Sequence, residues 1–140
     1  MKLTLDTNFK EVQKIVNKRG KDLHASTKKA LLRTALSGLN IIQSRTNKGQ
    51  GYKGGTFDGY SSAYSAFRRN NGRGVVPDLQ FTGQMFSAMT VKANSQEAEI
   101  FFNRATEAKK AAMNDKSRPF FGFSQRERKT LVSVFERNLK

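Results

Sequence analysis

The sequence predicts an α+β fold in which N-terminal helices pack on a small antiparallel sheet and a helix ends the chain. Apolar residues recur at the three-to-four spacing of a helix between residues 23 and 45 and again between 124 and 139. Between these segments, residues 90–94 and 98–102 alternate polar and apolar side chains with the period of two that is typical of strands. Helices that flank a hairpin indicate an α+β domain.

The first two elements are predicted to be helices. Residues 7–19 form the first, which Gly20 ends; its apolar face comprises Phe9, Val12, Ile15 and Val16. The second runs from Leu23 to about Arg45, with a buried stripe of Leu31, Ala35, Leu39 and Ile42 that Leu32 and Leu36 widen. Gly38 lies inside this stripe, where glycine costs about 1 kcal/mol relative to alanine, so we expect another backbone to pack closely there.

A glycine-rich segment and a short helix follow. Residues 47–59 contain five glycines in thirteen positions, which predicts a flexible loop. The next helix places four apolar side chains on one face (Tyr60, Ala63, Tyr64 and Phe67) and ends in the basic run 68–74. Val75 and Val76 precede Pro77 and are therefore expected to be extended.

The last third carries clear boundary signals. Thr82 is predicted to cap a short helix with Met85, Phe86 and Met89 facing inward. Asn94-Ser95-Gln96 separates the two strands of the hairpin, and residues 105–114 are predicted to be helical. Ser124 and Glu127 have the spacing of a capping box, which opens a final helix with Leu131, Val132, Phe135 and Leu139 on one face.

Composition narrows the class of protein. A chain of 140 residues has room for one domain with its own core, so we predict a single domain over residues 1–140. The absence of cysteine excludes disulfides and thiolate metal sites. No apolar run approaches the roughly 20 residues that span a bilayer, and the N-terminus lacks the apolar region of a secretory signal, so we expect a soluble protein without membrane partners.

The net charge of +15 is the strongest compositional signal. Residues 1–75 hold 15 Lys and Arg against 4 Asp and Glu, a net charge of +11, whereas residues 76–140 hold 11 against 7, a net charge of +4. A field of this sign attracts phosphate backbones and acidic protein surfaces alike.

Motifs for chemistry are weak. The glycines at 49, 51 and 54 match G-x-G-x-x-G, but no strand precedes them and no acidic residue follows at the required distance, so a flexible loop is the better interpretation. His24 is the single histidine, and no second histidine or cysteine completes a zinc site. We therefore predict a non-enzymatic protein without cofactor or metal.

The stretch from Tyr52 to Arg73 interleaves aromatic and basic residues. Such a mixture can stack single-stranded bases while its cations follow the phosphates. The helical spacing of Tyr60, Tyr64 and Phe67 favours the alternative, in which the rings pack on the core and the cations stand in solvent. In that case the basic side chains remain candidates for a partner surface.

Three segments carry a family resemblance. They are residues 57–73, the run Asp78-Leu79 with Thr82-Gly83, and the corner Arg118-Pro119-Phe120-Phe121-Gly122-Phe123-Ser124. In this order they resemble the phage virion-morphogenesis family, tail-completion proteins of the neck. The resemblance implies a structural subunit of a homo-oligomeric ring at the head–tail junction, assembled in the host bacterial cytoplasm and located in the virion. It implies adjacent head-connector and tail proteins as partners, with packaged DNA as a non-specific contact.

Two sets of residues follow as candidates. The candidate contacts with DNA or a partner are Lys48, Lys53, Arg68, Arg69 and Arg73, and the candidate structural corner is Arg118, Pro119, Phe120 and Phe121. The alternative function is a basic accessory protein that binds nucleic acid without sequence specificity.

Overall fold

The computed structural model describes residues 2–3 and 21–139. Helices before and after an antiparallel hairpin, the last of them at the C-terminal end, confirm the predicted α+β class. The predicted helix at 7–19 lies outside the described residues. The elements in chain order are β1 (Lys2–Leu3), α1 (Lys21–Asn47), α2 (Ser62–Asn70), α3 (Gln84–Ser87), β2 (Met89–Ala93), β3 (Ala98–Phe102), α4 (Ala105–Ser117) and α5 (Gln125–Asn138).

The chain forms two compact units. The first, here called the hairpin unit, comprises the described parts of residues 1–40 and 125–140 together with 90–101; the second, the cleft unit, comprises 41–89 and 102–124. The prediction of a single domain stays a prediction, which coincident unfolding of both units would test.

Small residues dominate the buried face of α1. Ala30, Leu31 and Ala35 are at most 1% exposed, and Thr34 is buried because its hydroxyl donates to the Ala30 carbonyl at 2.8 Å. The predicted widening of the stripe by Leu36 is wrong, since this side chain is 45% exposed. The buried side of the helix is narrow, and Leu36 lies about 100° further around it than Ala35.

The sheet of the hairpin unit has the order β1-β3-β2, and β1 pairs with β3 in antiparallel register, Lys2 opposite Glu99 and Leu3 opposite Ala98. The turn between β2 and β3 closes through the Asn94 N–H, which donates to the Glu97 carbonyl at 2.9 Å. The Asn94 side chain accepts from the Gln96 and Glu97 amides, at 2.7 and 2.8 Å, which is the Asx turn that this residue type favours. The predicted hairpin is confirmed, whereas β1 was not predicted because two residues show no period.

The final helix also contributes buried side chains to the core of the hairpin unit. Leu131 and Phe135 of α5 are 0% and 2% exposed, and Ile100 of β3 is fully buried. Arg33 of α1 donates to the Asn138 side chain at 3.0 Å and so joins α1 to α5.

Two boundaries in the cleft unit differ from expectation. The short helix α3 is capped by Gly83, with φ of +78°, and the Thr82 hydroxyl accepts only the Gln84 N–H, at 3.4 Å. A left-handed cap requires glycine, so the predicted threonine cap is one residue early. Met85 and Phe86 are buried as predicted. Helix α4 continues to Ser117, three residues beyond the predicted end.

Candidate functional site

A cleft of about 620 Å³ in the cleft unit is the candidate site. Small-molecule sites in proteins have volumes of roughly 300–1,000 Å³, so the cleft is large enough for a ligand. One side of the cleft is lined by Tyr64 and Arg68 of α2 and by Tyr60, two residues before that helix. Residues 79–85, which run from the preceding loop into α3, also line it. Glu107, Lys110 and Asn114 line it from α4, and Arg118, just after that helix, lines it as well.

Helix geometry explains the contribution of α4. Glu107, Lys110 and Asn114 are spaced by three and four residues, which places them on one helical face. Asn114 is held there because its side-chain amide donates to the Lys110 carbonyl at 2.9 Å. The face therefore presents a carboxylate, an ammonium and an amide in succession.

Arg68 is the buried residue of α2, at 1% exposure. Its Nε donates to the Gly74 carbonyl at 2.6 Å, and its Nη2 lies 3.2 Å from Asp78 Oδ1. Its guanidinium carbon is 5.0 Å from the Tyr60 ring centroid and 5.8 Å from that of Tyr64. The expectation that Arg68 stands in solvent as a partner contact is therefore wrong: its charge is used to fix the chain from 74 to 78 against α2.

The titration of this cluster follows from burial and charge. Burial raises the pKa of the Tyr60 phenol above its ordinary value, more strongly than the Leu79 hydrogen bond and the Arg68 charge lower it. Burial by itself would lower the pKa of the Arg68 guanidinium, but the Tyr64 hydrogen bond and the neighbouring Tyr60 and Asp78 outweigh it and raise that pKa. The cluster thus holds a neutral phenol beside a charged guanidinium.

The rings of α2 are more exposed than the sequence predicts. Tyr64 is 37% exposed and Phe67 50% exposed, so the expectation that both rings pack into the core is wrong. They form a ladder instead: Tyr64 stacks on Phe67 with centroids 6.1 Å apart, and Phe67 stacks on Phe81 at 5.5 Å. The Arg73 guanidinium carbon lies 5.4 Å from the Phe81 centroid. Aromatic faces and a cation therefore share one surface beside the cleft.

Glu107 is the acid of the cleft. It is 3% exposed, and its Oε1 accepts from Lys110 Nζ at 3.1 Å. Its Oε2 is buried and has no hydrogen-bond partner among the described residues. A buried acceptor without a donor costs roughly 1–3 kcal/mol, and more when it is charged. This oxygen is the strongest sign that the cleft receives a hydrogen-bond donor.

Leu79 forms part of the wall in a strained conformation. Its φ of +60° is the only positive value at a residue other than glycine in the described part of the chain. Its N–H donates to the Tyr60 hydroxyl at 3.2 Å, and Asp78 Oδ1 accepts the Gln80 N–H at 3.0 Å. Such conformations cost about 1–3 kcal/mol and persist where surrounding contacts fix them.

The glycine loop and the aromatic corner meet in this unit. The Tyr52 N–H donates to the Pro119 carbonyl at 3.4 Å, and a Cβ added at Gly122 would lie 2.6 Å from the Tyr52 ring. Arg45 donates to the Phe120 and Gly122 carbonyls at 2.5 and 3.1 Å. The approach of Tyr52 requires glycine at position 122 and ties the loop to the corner, while the Arg45 bonds tie α1 to it. The predicted flexibility of residues 47–59 stays a prediction, since the contacts describe the conformation of the loop and not its mobility.

The corner packs on aromatic neighbours. Phe120 is fully buried, with its centroid 6.5 Å from Phe86, and Phe121 lies 5.3 Å from Phe102 at the end of β3. The backbone amides of Phe120 and Phe121 both donate to Asp115 Oδ1, at 3.0 Å each.

Arg118, next to Pro119, fastens the start of the corner. It donates to the Asp58 and Gly59 carbonyls at 3.1 and 3.3 Å, and its guanidinium carbon lies 4.9 Å from the Tyr60 centroid. The corner thus has the contacts of a structural element.

The other candidate basic residues are exposed. Lys48, Lys53, Arg69 and Arg73 all stand on the surface of the cleft unit. Lys53 Nζ lies 5.9 Å from the Tyr52 centroid. These four cations remain available to a partner, in contrast to Arg68.

Sequence reasoning missed Glu107, Lys110 and Asn114. The spacing of the three on one predicted helix was the available signal, but an acid beside a lysine three residues later is also the common pattern of a solvated helix face. Only the fold shows that this face borders a cleft.

Comparisons with models of known protein families, with curated proteins and with solved structures found no match. Within residues 2–3 and 21–139, no group of three or more His, Cys, Asp or Glu side chains could hold a metal ion. None of the helices in that same part of the chain is long and apolar enough to cross a membrane.

Proposed function

We propose that this protein is a structural, non-enzymatic subunit of a phage neck, which forms a homo-oligomeric ring at the head–tail junction during tail completion. Its neighbours in the virion are head-connector and tail proteins, and the virion is assembled in the host bacterial cytoplasm.

One observation carries the proposal. The segments that resemble the virion-morphogenesis family, at 57–73, 78–83 and 118–124, all belong to the cleft unit. They also touch one another there: Arg118 binds the Asp58 and Gly59 carbonyls, and the Leu79 amide binds Tyr60. Three separated stretches of the chain resemble the family, and they form one connected structure. This supports a common origin better than three isolated matches would.

Charge supports the role of the subunit in a ring around DNA. Repetition of a +15 subunit around a channel multiplies the positive field, which holds a phosphate backbone without reading its sequence. Four of the exposed cations of the cleft unit are the contacts that we assign to DNA or to an acidic neighbouring ring: Lys48, Lys53, Arg69 and Arg73.

A second candidate function has an observation of its own. The ladder of the exposed Tyr64 and Phe67, which continues to Phe81 beside Arg73, is the surface that a non-specific nucleic-acid-binding accessory protein would use. The two functions differ in where the protein is found, because a neck subunit remains with the particle.

The test is to purify virions that carry a labelled copy of the protein and to image them by negative stain. We expect label at the head–tail junction in a fixed copy number. Particles that infect normally and contain none of the protein would refute the neck role and favour the accessory function.

A complementation assay then tests the basic surface. A variant with Lys48, Lys53, Arg69 and Arg73 changed to Gln is expected to fold normally, because exposed substitutions usually change stability by less than about 0.5 kcal/mol, and to give fewer infectious particles. The matched control removes four exposed cations of α5 instead: Arg126, Arg128, Lys129 and Arg137. Full complementation by the folded first variant would show that its four cations contact neither DNA nor a partner.

A further inference from the structure

We propose that the cleft binds one nucleotide, with an unstacked base inside and its phosphate at the rim. This site goes beyond the neck role, which needs no nucleotide in the cleft. The nucleotide arrives either free or as one unit of a single strand, and the same chemistry recognises both.

The base edge is recognised by Glu107. Its Oε2 is buried without a partner, and carboxylates in proteins accept hydrogen bonds from the exocyclic amine of cytosine. Less than 1 Å² of this atom is exposed, so a donor reaches it after a neighbouring side chain turns aside. Lys110, whose side chain is 58% exposed, is the flexible group beside that carboxylate.

Stacking surfaces for the base line the same cleft. Tyr64 and Phe81 both border it, and both belong to the ladder that continues through Phe67. Base–aromatic stacking contributes about 1–3 kcal/mol per base in proteins that bind single strands. A base that leaves the cleft along this ladder would meet the exposed ring of Phe67, which gives a strand a path out of the site.

The charges of the cleft favour a phosphate. Three cations line it, Arg68, Lys110 and Arg118, against the carboxylate of Glu107 and that of Asp78, which pairs with Arg68. A lysine or arginine side chain from another protein would also supply a donor to Glu107, but Lys110 and Arg118 would repel it. A nucleotide satisfies the carboxylate with a neutral amine and the cations with an anionic group.

The test is titration calorimetry of the full chain with dCMP, dTMP, oligo-dC, oligo-dT and inorganic phosphate. We expect dCMP to bind more tightly than dTMP by about tenfold, because thymine carries the O4 carbonyl oxygen where cytosine carries its exocyclic amine, and that oxygen would repel the carboxylate. If the natural ligand is a strand, oligo-dC binds far more tightly than dCMP; if it is a free nucleotide, the two bind equally per site.

Two variants locate the contact. Glu107→Gln is expected to remove the preference for dCMP over dTMP, and Tyr64→Ala to weaken both nucleotides by about tenfold, as the loss of one stacked base would. The matched control is Glu136→Gln, which removes an exposed acid of α5, outside the cleft. Thermal melting checks that each variant is folded.

Three results would overturn the proposal. They are the absence of dCMP and oligo-dC binding at millimolar concentration, equal affinity for dCMP, dTMP and inorganic phosphate, and a preference for dCMP that survives in the folded Glu107→Gln variant.

Discussion

Replacing Arg68 by alanine should strongly destabilise the protein, although arginine on a helix surface is usually dispensable. Arg68 is 1% exposed, and the substitution removes its bonds to the Gly74 carbonyl and to Asp78. A hydrogen bond to a charged group contributes about 1.5–3 kcal/mol. The Asp78 side chain is 28% exposed, so solvent screens part of that pair. We therefore expect a loss of about 2–4 kcal/mol in the free energy of unfolding, which includes the contact of the guanidinium with the Tyr60 ring.

The assay is urea unfolding, together with a thermal melt. For a chain of this size, a loss of that magnitude lowers the melting temperature by roughly 10 °C. Arg69→Ala is the matched control, because Arg69 is the next residue of the same helix and is exposed. Its effect should stay within about 0.5 kcal/mol. If both alanine variants unfolded at the urea midpoint of the parent, the burial of Arg68 would contribute nothing to stability and the reasoning would be refuted.

Four further perturbations test the corner, the glycine contacts, the phenol and the loop. Phe120→Ala empties a fully buried site and should cost about 3–5 kcal/mol in urea unfolding, and the double variant that also truncates Phe121 should cost more. Gly122→Ala should destabilise the protein in the same assay, because the new methyl group would lie 2.6 Å from the Tyr52 ring. The pKa of Tyr60 is raised in the folded state. The stability that its neutral phenol contributes is therefore fully present below the usual pKa of about 10 and is lost as pH rises through the folded-state pKa. Phenolate absorbance should show one group titrating late, and Tyr60→Phe should remove that group. Amides 53–55 at the loop tip should exchange quickly with solvent in the isolated protein.

Each of these has a control or a contrary outcome. Gly59→Ala is the control for Gly122→Ala, since nothing lies within 4 Å of a Cβ at Gly59. A Phe120→Ala protein that melts like the parent would mean that the corner is an exposed interface. If all tyrosines titrated together near their usual pKa, the prediction of a raised pKa for Tyr60 would be wrong. Slow amide exchange at residues 53–55 would contradict the flexible loop.

Local patterns predicted the elements of this fold because their causes are local. The stripe of α1, the alternation of β3 around Ile100 and the apolar face of α5 follow from residues three, four or two positions apart. The hairpin turn at Asn94 is likewise decided within four residues.

The site depends on contacts that no local pattern encodes. Arg68 is buried because Gly74 and Asp78, six and ten positions later in the chain, bind its guanidinium. Gly83, and not Thr82, caps α3 because the backbone there is left-handed. Glu107 borders a cleft only because α2, at some 40 residues distance in the chain, supplies the opposite wall. Periodicity within one helix cannot distinguish this face from a solvated one.

The glycine loop has a fixed base and an open tip, and this contrast makes it a practical place to modify the protein. At the base, a Cβ on Gly51 would lie 2.6 Å from the Pro119 carbonyl oxygen, whereas at Gly54 and Gly55 a Cβ would meet nothing within 4 Å. Exposed loop tips of small residues are the sites at which inserted sequences are best tolerated. An epitope placed between Gly54 and Gly55 would keep both glycines and leave the base intact. Such a tag would carry gold or a fluorophore on the protein without using either chain terminus.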